Sequence, residues 1–167
     1  MKRILMAVAA LSLLLTMGHG ATAQDPASQI VGVWKATEII RKEVESGKVE
    51  KPYGDKLTAY FIYTREGVFS WTFVAENRKK PAGAALTDGE RIELFKTMSF
   101  GTGTYKVEAG KIIYRYDSSW HHAWAGMERI TPLPVITGTK MVNTSAPFKL
   151  ATSGVDAITI QTFERVQ

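Results

Sequence analysis

The chain has 167 residues, a formal net charge of +5, no cysteine and only three histidines. The lack of cysteine excludes disulfide bonds and lipidation at cysteine, so the stability of the fold must come from packing. Lys2 and Arg3 supply two of the positive charges and the others are dispersed, so the composition does not indicate nucleic acid as a partner.

The N-terminal segment has the layout of a secretory signal peptide. Two cations, an apolar run over residues 4–15 and small residues at Ala21 and Ala23 follow one another in the order that export requires. A membrane anchor is the alternative, but it needs about 20 apolar residues, and polar residues and glycines interrupt this run. We therefore predict a signal peptide over residues 1–23, a mature periplasmic or secreted protein that begins at Gln24, and no membrane span after cleavage.

Residues 24–167 are predicted to form one mainly β domain, because β-branched and aromatic residues alternate with turn residues along it. Three prolines between residues 132 and 147 remove backbone donors, so they must lie at edges, bulges or strand ends. The pattern favours an antiparallel up-and-down β-barrel of about eight strands, with a β-sandwich as the alternative, because closure removes exposed edges. The predicted strands cover residues 31–44, 59–64, 68–74, 103–108, 111–118, 127–131, 140–143, 148–152 and 157–165.

Aromatic side chains occupy one face of two predicted strands. Phe69, Trp71 and Phe73 alternate along one of them, and Tyr114 and Tyr116 alternate along another, so each set points to the interior. An eight-stranded barrel is just wide enough to be filled by side chains or to hold one small ligand. The sequence leaves both possibilities open.

One short helix is predicted over residues 88–98. Thr87 and Glu90 form a capping box, and Ile92, Phe95 and Met98 recur at three-residue spacing as one apolar stripe. This stripe is expected to lie against the sheet or over an opening of the barrel.

A few charged residues are candidates for the interior. If Trp34 faces inward, alternation also turns Glu38 inward, where a carboxylate must be paired or protonated, and Arg129 is a candidate partner. A bulge would instead leave Glu38 in solvent. His121 and His122 face opposite ways on an extended chain, which favours a surface loop, with one histidine facing the mouth of a cavity as the alternative. We expect neither a metal nor a cofactor.

Several short motifs follow one another in a characteristic order over residues 30–166. They are Val31-Gly32-Val33-Trp34, Pro52-Tyr53-Gly54, Gly103-Thr104-Tyr105, Trp124-Ala125-Gly126 with Arg129, and Phe163-Glu164-Arg165. Together they resemble the bacterial lipocalin-like domain family. The resemblance implies that Trp34 plugs the closed end of the barrel and that Arg165 covers its ring through a cation–π contact.

These observations lead to the hypothesis of an exported protein that binds a small hydrophobic or amphipathic molecule inside the barrel, which requires a cavity above about 300 Å³. The alternatives are a cyclase or isomerase that uses Glu38 or a histidine as acid or base in the same cavity, and a non-catalytic interaction protein of the cell envelope. No residue is assigned a catalytic role. The candidate cavity residues are Glu38, Phe69, Trp71, Phe73, Tyr105, Tyr114, Tyr116, Trp124 and Arg129, with Trp34 and Arg165 as closure residues.

Overall fold

A single antiparallel sheet dominates the computed structural model, which describes residues 25–150 and 153–166. The predicted signal peptide lies outside the described residues. The elements are α1 (Pro26–Ile30), β1 (Gly32–Glu43), β2 (Val49–Glu50), β3 (Thr58–Tyr63), β4 (Val68–Val74), α2 (Asp88–Lys96), β5 (Met98–Glu108), β6 (Lys111–Ser119), a 3-10 turn (His122–Trp124), β7 (Glu128–Pro132), β8 (Val135–Thr137), β9 (Lys140–Thr144), β10 (Phe148–Lys149) and β11 (Asp156–Arg165).

The strand order confirms the predicted antiparallel, lipocalin-like architecture. Nine of the described strands pair in the order β7-β6-β5-β4-β3-β1-β11-β9-β8, and the short strands β2 and β10 add to β1 and β11. The sheet curls into a half-barrel whose edge strands, β7 and β8, are not paired with each other in the described chain. Pro132 ends edge strand β7, and Pro134 and Pro147 directly precede β8 and β10. The prolines thus lie where a missing donor disturbs the ladder least, as predicted.

The closed end is built around Trp34, whose side chain is fully buried. Its indole Nε1 donates a hydrogen bond to the carbonyl oxygen of Ile30 at 2.8 Å. The guanidinium carbon of Arg165 lies 4.1 Å from the centre of a Trp34 ring, so the contact implied by the family resemblance is present. Arg165 also donates to the carbonyl oxygens of Gln29 and Val31, both at 2.6 Å, and so ties the last strand to the start of the first.

A bulge in β1 changes which residues face the interior. Ala36 pairs with Phe163 and Glu38 pairs with Thr162, so Thr37 is an extra residue on β1. Glu38 is therefore exposed, and its carboxylate lies 3.0 Å from Lys51 on the outer surface. The expectation that Glu38 faces inward is wrong, because it assumes unbroken alternation from Trp34.

Helix α2 begins as predicted but buries little apolar surface. Both hydrogen bonds of the capping box between Thr87 and Glu90 are present. Ile92 and Phe95 remain 51% and 54% exposed, so the expected apolar stripe does not pack against the sheet. Instead the ring of Phe95 stacks on that of Trp120 with centres 4.6 Å apart.

No helix in the described ranges is long and apolar enough to cross a membrane.

Candidate functional site

The curled sheet encloses an open cavity of about 740 Å³. This volume lies within the usual range of small-molecule sites, about 300–1,000 Å³, and above the minimum that the ligand hypothesis requires. The side chains of the interior therefore line part of the barrel rather than fill all of it.

One side of the cavity is aromatic. Neighbouring rings support one another: Trp71 stacks on Phe73 with centres 4.9 Å apart, and Trp124 lies 6.0 Å from Tyr116 and 6.4 Å from Trp71. These contacts fix the rings without any ligand. We call this surface the aromatic wall, and its members are Phe61, Trp71, Phe73, Tyr114, Tyr116 and Trp124.

Strand β5 has glycine at two positions, Gly101 and Gly103, where neighbouring atoms leave no room for a side chain. A Cβ atom added at Gly101 would lie 2.7 Å from a ring atom of Tyr116 and 2.8 Å from ring atoms of Trp71. At Gly103 it would lie 2.0 Å from the carbonyl oxygen of Arg115. The rings of Trp71 and Tyr116 therefore lie directly over the β5 backbone at Gly101, whereas at Gly103 it is the backbone of β6 that approaches closely.

The opposite side of the cavity is polar. Its side chains come from β1, β11 and the region of β9, at the other end of the strand order from β6. Arg41 pairs with Thr159, while Asn143 pairs with Gln161 and donates from Nδ2 to the Gln161 Oε1 atom at 3.1 Å. Ser145 accepts at Oγ from the backbone N–H of Thr159 at 2.9 Å. These five residues, Arg41, Asn143, Ser145, Thr159 and Gln161, form the polar wall.

Arg41 is the cation of the polar wall. Its Nη1 atom lies 2.7 Å from a carboxylate oxygen of Glu50, and its guanidinium group is near the ring of Phe148, 6.0 Å from the ring centre. The Nε–H group of Arg41 is buried and has no hydrogen-bond partner within the part of the chain that the structure describes. One edge of the guanidinium is thus held in place while a buried donor remains unsatisfied.

Two tyrosines are kept neutral: Tyr114 in the aromatic wall, and Tyr63, which does not line the cavity. The hydroxyl groups of Tyr63 and Tyr114 are hydrogen-bonded to each other. Burial, the largest cause in both cases, raises the pKa of Tyr63 and of Tyr114 above the ordinary tyrosine value. Tyr114 therefore presents a neutral hydroxyl group in the aromatic wall at physiological pH.

Six of the nine predicted cavity residues line the cavity, and three do not. Phe69 is fully buried behind the aromatic wall, with its ring 4.9 Å from Tyr114 and 5.1 Å from Tyr116. Tyr105 also lies behind the wall, where its hydroxyl donates to the carbonyl oxygen of Thr64. Glu38 is on the outer surface, as described above. The six that line the cavity are Trp71, Phe73, Tyr114, Tyr116, Trp124 and Arg129.

The charged and basic side chains near the aromatic wall are at its exposed rim. The Arg129 guanidinium carbon lies 5.6 Å from the Trp124 ring, and the expected pairing with Glu38 is not formed. His121 lines the cavity with its ring 5.9 Å from that of Trp124, whereas His122 is an exposed residue of the 3-10 turn. Residues 25–150 and 153–166 contain no group of three or more histidine, cysteine or acidic side chains that could hold a metal ion.

Sequence reasoning missed the polar wall altogether. Asn143 is two residues from buried Met141, and Gln161 is two residues from buried Phe163, so alternation alone could have placed both inward. Arg41 could not be found in this way, because the bulge at Thr37 reverses the faces of β1.

A family model agrees with this architecture. It is described as a lipocalin-like domain and matches residues 31–166, which include all eleven strands that the structure describes. A search of curated proteins finds no significant match. Among solved structures, the chain is similar to an uncharacterized protein from Bacteroides eggerthii DSM 20697, with 17% identity, a TM-score of 0.38 and coverage of 81% of this chain and 98% of that chain.

Proposed function

This chain belongs to the lipocalin-like domain family, and we propose that it binds a small amphipathic molecule in the cavity between the aromatic wall and the polar wall. The observation that carries the proposal is the cavity of about 740 Å³ with aromatic rings on one side and hydrogen-bonding side chains on the other. Ligand sites commonly combine apolar surface with a small number of placed polar groups.

The distribution of buried side chains supports a binding role over a purely structural one. The interior outside the cavity is filled, since Trp34, Phe69 and Phe163 are fully buried and do not line the cavity. The aromatic wall lies beyond this filled layer and is held by its own ring contacts. A site that exists before the ligand arrives requires little ordering on binding, which favours affinity.

A matched pair of substitutions on β11 tests the proposal. Thr159 faces the cavity, whereas Thr162 lies on the other face of the strand. We expect the wild-type protein to bind the neutral dye N-phenyl-naphthylamine saturably. Thr159→Phe should weaken binding about tenfold or more by occupying the cavity, and Thr162→Phe should leave the affinity within about twofold. Absence of saturable binding, or equal loss in both folded variants, would refute the proposal.

We also propose that the protein is exported and that residues 1–23 are removed. The support is the sequence alone: two N-terminal cations, an apolar run and the small residues Ala21 and Ala23. N-terminal sequencing of protein recovered from the periplasm or medium should give Gln24 as the first residue. An intact Met1 on such protein would contradict export by cleavage.

A further inference from the structure

We propose that the ligand carries an anionic oxygen group, of which a carboxylate is the simplest example, and that Arg41 binds this group in the polar wall. This inference rests on the proposed function and adds the chemical class of the ligand.

The first argument is the guanidinium group that Arg41 presents to the cavity. Glu50 holds its Nη1 side at 2.7 Å, and 32% of the Arg41 side chain remains exposed. The Nε–H group is buried and out of reach of a ligand in this arrangement, so the exposed part of the guanidinium makes the contact. Hydrogen bonds from a guanidinium group to an oxygen anion are charge-assisted and therefore stronger than neutral ones.

The second argument is the arrangement of amides beside Arg41. The Asn143 Nδ2 atom donates to Gln161 Oε1, so the Gln161 amide uses its oxygen within the wall. Gln161 also lines the cavity, so its NH₂ group remains as a candidate donor to a ligand there. A guanidinium and an amide NH₂ on one wall form a donor-rich surface that matches an oxygen anion.

The test compares three probes of one shape: naphthoate, naphthylmethanol and naphthylmethylamine. Their affinities are measured by titration against the tryptophan fluorescence of the mature protein. We expect the carboxylate to bind about tenfold or more tightly than the alcohol, and the amine to bind most weakly. Arg41→Gln should remove the preference for the carboxylate, so that in this variant the carboxylate binds no more tightly than the alcohol.

The controls separate this inference from the proposed function. Arg65→Gln, in the exposed turn between β3 and β4, should leave all three affinities unchanged. Equal binding of the three probes to the wild-type protein would overturn the anionic class while leaving cavity binding intact. A carboxylate preference that survives Arg41→Gln and disappears in Arg129→Gln would overturn the role of Arg41. Failure of all three probes to bind would contradict the proposed function itself.

Discussion

Gly101 is the residue that allows the aromatic wall to lie against β5. A Cβ atom there would approach Trp71 and Tyr116 to within 2.8 Å, closer than van der Waals contact permits. Gly101→Ala should therefore destabilise the protein by about 1–3 kcal/mol and displace Trp71 into the cavity. Urea unfolding measures the first effect, and weaker binding of N-phenyl-naphthylamine measures the second. Gly83→Ala is the control because the space around Gly83 is open. Equal stability of the two variants would show that Gly101 does not limit the packing of the wall.

Arg165 and Trp34 form a pair whose coupling can be measured. Trp34→Ala should lower the free energy of unfolding by about 3–5 kcal/mol, because a large buried ring is lost. Arg165→Ala should lower it by about 2–3 kcal/mol, since the hydrogen bonds to Gln29 and Val31 are lost along with the cation–π contact.

The double variant should lose less than the sum of the two single losses, because removal of the ring already removes one contact of the arginine. Arg165→Lys should retain part of the stability, since it keeps the charge but not the two-donor fork. Strict additivity in urea unfolding would mean that the ring contact contributes nothing to closure.

At the scale of single elements, the stability of the N-terminal turn of α2 should depend on pH. Backbone N–H groups of Ala82, the largest cause, and of Thr87 hold the pKa of Glu90 below the usual glutamate value. The unfolded segment keeps the ordinary value, so this stabilisation is present above that pKa and is lost as pH falls through the lowered one.

Protection of the Ala82 and Thr87 amides against hydrogen exchange should therefore decrease in acid while that of the sheet does not. Glu90→Gln should abolish this pH dependence. Glu93→Gln, which changes a carboxylate beside Lys96 on the same helix, should preserve it. Unchanged protection of both amides through the acid range would argue against the capping contribution.

The elements that can be predicted from the sequence are those that depend on residues close together in the chain. The capping box of α2 and the strands from residues 58 to 74 follow from neighbouring residues in the sequence, and the structure confirms them. The bulge at Thr37 is not local, because it depends on the register between β1 and β11, which are distant in sequence. The short strand β8 directly follows Pro134 and was missed for a related reason, since its pairing with β9 defines it more than its own three residues do.

At the scale of the whole molecule, the sequence predicts which aromatic rings point inward but not whether they meet at the centre. That outcome depends on how far the sheet curls and on the close approach of rings to β5 at Gly101. The open cavity therefore becomes visible only when all strands are assembled. The polar wall likewise becomes visible only in the assembled sheet, because its members come from three separate strand regions.

Native mass spectrometry of protein purified from the cells that produce it detects a bound ligand directly, as added mass. We expect a discrete added mass on the wild-type and Thr162→Phe proteins, removed by denaturation and absent from Thr159→Phe. The bare polypeptide mass in all three folded proteins, together with no uptake of the naphthalene probes by the wild-type protein, would contradict ligand binding.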